Sequence, residues 1–120
     1  MSVLLRDIMT NDVFCVDVDS DAGQAGKLLN ERHFGGAPVN DGNGRPVGVI
    51  SWWDVIGDQC SGKSVGDLMN AHVRSMAPDA TAESAAKLML ADSIHRLLVM
   101  EDGKLVGIVT SFDLLRALAA

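Results

Sequence analysis

Tyrosine is absent from this 120-residue chain, and the other aromatics are scarce, with three Phe and two Trp. A core must therefore rest on aliphatic side chains and six Met, whose flexible thioethers fill gaps. Positive charge is also short. Ten Lys and Arg stand against sixteen Asp and Glu, giving a net charge of −6 and a pI near 4.8. Such a field repels a phosphate backbone, and no basic run or aromatic-basic interleave offsets it, so nucleic acid is not an expected partner. Cysteine is limited to Cys15 and Cys60, far apart, in neither a metal-type pair nor a dense disulfide framework. Reduced thiols in a cytoplasm-like compartment are expected, with a single bridge left open. His33, His72 and His95 form no ligand spacing with either Cys, so no metal is expected. No apolar run approaches the length of a membrane span, and Val3-Leu4-Leu5 is too short for a signal-peptide core before Arg6 and Asp7. A complete, soluble, cytoplasmic chain with no membrane partner is the expectation.

What the chain does contain is a second copy of itself. Pro46-Val47-Gly48-Val49-Ile50-Ser51-Trp52-Trp53-Asp54 returns 59 residues later as Leu105-Val106-Gly107-Ile108-Val109-Thr110-Ser111-Phe112-Asp113. Asp7-Ile8-Met9-Thr10 returns at an offset of 60 as Asp67-Leu68-Met69-Asn70. The turn Asp41-Gly42-Asn43-Gly44 is one residue longer than Glu101-Asp102-Gly103, which accounts for the change of offset. Each copy reads as a short leading helix (Val3 to Met9 in the first), then strand, helix, strand, strand, helix. Strands are expected over Val13–Val18 and Val73–Pro78, and helices over Asp21–Arg32 and Thr81–Asp92. Second strands are expected over Phe34–Val39 and Ile94–Val99, and closing helices over Trp52–Cys60 and Ser111–Leu118. The predicted division is repeat one over 1–60, linker 61–64 and repeat two over 65–120. One such unit buries too little surface to stand comfortably alone, so an α+β, pseudo-twofold module of two packed repeats is expected.

Both copies of the long stretch end in a hydroxyl residue followed three positions later by an acid. That spacing opens a helix as a capping box, in which hydroxyl and carboxylate satisfy free amides of the first turn. The same geometry can serve as an anion site with a nearby acid for a ribose diol. A competing pattern, Gly57-Asp58-Gln59-Cys60-Ser61-Gly62-Lys63-Ser64, fits the phosphate-binding loop G-x-x-x-x-G-K-[ST], and Leu97 to Asp102 mimics a strand ending in acids. Such a loop must leave a parallel strand and open a helix, whereas the duplication puts a closing helix before Gly57 and a hairpin turn at Asp102. A nucleoside triphosphatase is thus the remote alternative. No Ser-His-Asp or paired-acid arrangement points to catalysis, and no enzyme activity is expected.

The paired Gly-h-h-[Ser/Thr]-x-x-Asp junctions, the Asp79-Ala80-Thr81 turn and Ile94-His95-Arg96-Leu97 resemble the tandem CBS (cystathionine-β-synthase-type) domain pair, or Bateman module. The likeness covers nearly the whole chain. The resemblance implies a regulatory, energy-sensing module that requires no cofactor and binds AMP, ADP, ATP, S-adenosylmethionine or NAD in two clefts between the repeats. It implies that Asp54 with Ser51, and Asp113 with Thr110, take ribose hydroxyls and phosphate. Val49, Trp53, His72 and Ile94 would surround one cleft, and Ile108, Phe112, Val13, Phe14 and Phe34 the other. His95 and Arg96 would face phosphates. Because Gly35-Gly36 stands where the second repeat has His95-Arg96, the clefts are expected to be unequal, with the Asp54 side the better mononucleotide site. Modules of this kind pair into a homodimeric disc of four repeats, for which Leu114-Leu115-x-x-Leu118 is a candidate surface, and a separate regulated protein is a further possible partner. The second class of reading is an interaction scaffold of the same fold in which both junctions are capping boxes alone.

Overall fold

The computed structural model describes residues 2–57 and 60–119. The elements run α1 (Leu5–Ile8), β1 (Val16–Asp17), α2 (Ala22–Glu31), β2 (Gly36–Asn40), β3 (Pro46–Ser51), a single 3-10 turn (Trp52–Asp54), α3 (Val65–Leu68), β4 (Ser75–Met76), α4 (Ala82–Asp92), β5 (Arg96–Glu101), β6 (Lys104–Thr110) and α5 (Ser111–Ala119). The duplicated α+β order is therefore present, with the first strands trimmed to two residues each. Two three-stranded sheets result, ordered β1-β2-β3 and β4-β5-β6. In both, the first pair is parallel and the second antiparallel. The register slips at the matching place, between Val39 and Asn40 and between Val99 and Met100. Gene doubling has preserved even this bulge.

The chain forms two compact units, Phe14–Val73 and Met1–Val13 with Arg74–Ala120. The compact units are thus offset from the sequence repeats, and each takes its short leading helix from the other end of the linker. In the Phe14–Val73 unit, α3 is held by Val65 N–H donating to Ser20 O (2.8 Å) and Gly66 N–H to Val18 O (2.9 Å). Its core gathers Val16, Leu29, Ala37, Val39, Ile50, Val55 and Val65, with Phe14, Trp52 and Met69 against it. In the other unit α1 takes the same role: Leu5 N–H donates to Ala80 O (2.9 Å) and Arg6 N–H to Pro78 O (3.0 Å). Leu5, Ala85, Met89, Leu97, Val99, Val109 and Leu114 form that core.

Helix starts follow the sequence. Asp21 accepts from Gln24 N–H at α2, and Thr81 accepts from Ser84 N–H at α4. The first closing helix does not form as expected over Trp52–Cys60. It stops as one 3-10 turn at Asp54, and residues 58 and 59 lie outside the described residues. Two β-branched residues, Val55 and Ile56, follow that turn, and Gly57 adopts φ +77, where the second repeat supplies Leu114, Leu115 and Arg116 to a nine-residue helix. The structure also removes the support for a phosphate-binding loop at this point. Ser64, which that reading would aim at a nucleotide, accepts from Asp67 N–H and caps α3, while Lys63 offers its carbonyl to Ala22 N–H.

The Gly of each repeated stretch sits where another backbone passes. A Cβ on Gly48 would lie 2.9 Å from Asn70 O and 2.5 Å from Met69 Sδ. Asn70 is paired to Val49 by two backbone hydrogen bonds of 2.9 Å, so its carbonyl cannot retreat freely. At Gly107 the nearest contact is the flexible Met9 Sδ, and the nearest backbone atom, Thr10 O, is 3.1 Å away. Gly48→Ala is therefore expected to lose about 1–3 kcal/mol of stability in urea denaturation, and Gly107→Ala less.

Candidate functional site

The site is built at the end of each third strand. Along β3, Gly48 and Ile50 are buried while Val49 and Ser51 are half-buried, and β6 repeats the alternation with Gly107 and Val109 buried and Ile108 and Thr110 half-buried. Alternation turns Ile50 and Val109 inward and brings Val49 with Ser51, and Ile108 with Thr110, onto the other face. The strand then breaks, and the acid three residues on folds back.

At the first junction, Ser51 donates its N–H (2.8 Å) and its hydroxyl (2.9 Å) to Asp54 Oδ2. At the second, Thr110 donates its N–H (2.8 Å) and hydroxyl (3.0 Å) to Asp113 Oδ2, and its oxygen accepts from Asp113 N–H at 3.3 Å. The hydroxyl proton is thus committed to the carboxylate, which it positions. The junctions differ at the second oxygen. Asp113 is 6% exposed, and its Oδ1 accepts from Arg116 Nη2. Asp54 is only half-buried, and its Oδ1 has no hydrogen-bond partner among the described residues. Arg116 carries no motif of its own. Its signal in the sequence is the helical spacing of three from Asp113, and Gly57 occupies the matching place in the first repeat.

The remaining site residues divide between the units. In the Phe14–Val73 unit, Trp53 is 72% exposed and stands edge-on to Trp52, with ring centroids 5.3 Å apart. His72 is exposed, its N–H donating to Asn70 Oδ1. Phe14 and Phe34 meet at 5.8 Å, with the Arg32 guanidinium 4.5 Å above the Phe14 ring. In the other unit Val13 is half-buried and Ile94 packs against the core. Phe112 is 65% exposed under Arg116. His95 is exposed, and its carbonyl accepts from Ser111 N–H at the start of α5 (2.8 Å).

Arg96 stands directly across from Thr110 in the antiparallel register, a cross-strand pair on one face. Burial pulls its guanidinium below the ordinary value, and it has no ion-pair partner among the described residues. Its counterpart Gly36 stands across from Ser51. Cys15 and Cys60 are not joined in a disulfide with any described residue. No group of three or more His, Cys, Asp or Glu suited to a metal occurs among the described residues, and none of their helices is long and apolar enough to cross a membrane.

A duplicated α+β repeat with matched strand-to-helix junctions defines the class of tandem repeat pairs. The chain belongs to the CBS domain family, which matches residues 5–58 and 65–120, and it is a tandem CBS pair, or Bateman module. No catalytic domain is matched. It is 32% identical over 92% of its length to inosine-5′-monophosphate dehydrogenase of Methanocaldococcus jannaschii, of which it spans 22%. It spans 40% of a second relative from that organism, the uncharacterised protein MJ1232, at 29% identity over 98% of this chain. Among solved structures, CBSX2 of Arabidopsis thaliana is 31% identical, with a TM-score of 0.88 over 99% of this chain and 96% of that one. The same CBSX2 in complex with AMP is 32% identical over 98% of this chain and 96% of that one, with a TM-score of 0.86. The CBS pair of protein MJ0100, in complex with 5′-methylthioadenosine and S-adenosylmethionine, is 26% identical with a TM-score of 0.90, covering 99% of this chain and 98% of that one.

The two carboxylates should differ in what they do for stability. Asp113, itself buried, leaves the part-buried N–H and hydroxyl of Thr110 unpaired when truncated, so Asp113→Ala is expected to cost about 2 kcal/mol in chemical denaturation. Asp54→Ala, at the more open junction, is expected to cost about 1 kcal/mol or less.

Proposed function

We propose that this chain is a regulatory module that binds an adenosyl ligand at its strand-to-helix junctions and reports occupancy through conformation or assembly. The observation that carries this reading is the pair of acids, each fixed by its own hydroxyl residue beside a helix start, in a fold shared with proteins solved bound to AMP or to S-adenosylmethionine. Asp54 takes the ribose diol through its Oδ1, which has no hydrogen-bond partner among the described residues, with Val49 and Trp53 as apolar neighbours. Helix-start amides and Arg96 are the groups on offer to a phosphate. The Asp54 junction is the better nucleoside site. His95 and His72 lie exposed as further polar contacts. AMP, ADP, ATP, S-adenosylmethionine and NAD share the adenosyl group this chemistry recognises.

The signal passes to a regulated protein or to a second copy of the chain. Leu115 and Leu118, 61% and 83% exposed on α5, are the apolar surface proposed for self-pairing into a four-repeat homodimer. A cytoplasmic setting suits Cys15 and Cys60 as reduced thiols. The second reading, a scaffold that binds no nucleotide, draws on Asp113, whose two oxygens are both satisfied within its own helix start.

Thermal denaturation against these five ligands separates the readings. A ligand present at 100 times its dissociation constant is expected to add about 2.7 kcal/mol to stability. Asp54→Ala should remove most of that gain for AMP and Asp113→Ala less of it. No gain with any of the five would leave the scaffold, and equal loss from both substitutions would remove the asymmetry.

A further inference from the structure

The second junction carries its own competitor. On α5, Arg116 reaches back one turn so that Nη2 meets Asp113 Oδ1, while its guanidinium carbon lies 5.4 Å from the centroid of the Phe112 ring. A charge-assisted hydrogen bond and a cation–π contact thus hold one end of a side chain that is otherwise 64% exposed. With Oδ2 already accepting the N–H and hydroxyl of Thr110, both carboxylate oxygens of Asp113 are engaged. A vicinal diol binds a carboxylate best with one hydroxyl to each oxygen. At Asp54 the outer oxygen has no hydrogen-bond partner among the described residues, and Gly57, at the place matching Arg116, carries no side chain. At Asp113 the diol must first displace Arg116.

We infer that Arg116 is a built-in plug that weakens ribose binding at Asp113 and thereby sets the order in which the two junctions fill. This inference rests on the adenosyl-binding reading and adds a residue to it. Arg116 touches Asp113 rather than ligand, so it acts as a specificity-determining residue through that acid. The exposed guanidinium makes the plug weak enough to be displaced and sensitive to salt, which screens its attraction to the carboxylate.

Adenosine is the probe, because it has a ribose diol and no phosphate for Arg116 to hold. Its binding to the full chain is measured by calorimetry in variants that isolate one junction. In Asp54→Ala, adding Arg116→Met is expected to tighten adenosine binding about fivefold. In Asp113→Ala, adding Arg116→Met is expected to change nothing. Unchanged affinity in the Asp54→Ala pair overturns the plug while adenosine binding to the unsubstituted chain keeps the adenosyl reading standing. No binding to the unsubstituted chain or to any variant overturns both. If Arg116→Met fails to fold, salt supplies the test without it. Raising KCl from about 50 to about 500 mM should tighten adenosine binding to Asp54→Ala, relative to Asp113→Ala. The same salt response in both single variants overturns the plug.

Discussion

The constraint on which the rest depends is a carboxylate that accepts both the amide and the hydroxyl of the residue three positions before it. This closed contact ends a strand and aims the chain into a turn at Ser51–Asp54 and again at Thr110–Asp113. The strand before it is anchored by a buried Ile50 or Val109, and a glycine lets a neighbouring backbone run alongside. The acid is thereby fixed at a helix start without metal or disulfide. On the proposed reading a ligand-binding acid must be held in place before the ligand arrives, and the hydroxyl residue holds both acids.

Gene doubling made two such contacts, and later substitution has made them unequal. Where the second repeat has Arg96 and Arg116, the first has Gly36 and Gly57. The second junction is consequently buried, cationic and internally satisfied. At the first, Asp54 is half-buried with no partner for Oδ1 among the described residues, and Gly36 stands across the strand pair from Ser51. On the proposed reading, phosphate attraction and diol acceptance are weighted differently in the two halves. That division gives a physical basis for sequential occupancy of a module whose halves share one architecture.

Much of the architecture was legible from the chain because duplication repeats every local signal. The hairpins, the helix starts at Asp21 and Thr81 and the two junctions all fall where paired motifs put them. Three features were not. The first closing helix shortens to a 3-10 turn, since Val55, Ile56 and Gly57 lack the helix formers of the second copy. The strands β1 and β4 are two residues long where six-residue runs read as strand, because the residue-to-residue ladder with β2 and β5 runs only over Val16–Asp17 and Ser75–Met76. The grouping of α1 with the second repeat's sheet depends on contacts between segments some 70 residues apart, which local pattern does not encode. At the two junctions, the cap contacts of Asp54 and Asp113 were readable from spacing. Their different hydrogen-bonding was not, because it turns on the conformation of one long side chain.

The central claim is that Ser51 and Asp54 form a ligand-binding contact as well as a cap. Amide-resolved NMR during titration with AMP tests it most directly, because the Ser51 N–H is bonded to the carboxylate that would receive the ribose. The account predicts a saturable shift of the Ser51 amide resonance that follows the same binding curve as the rest of the spectrum. A saturable response elsewhere with Ser51 unmoved, or no response at all, would contradict it.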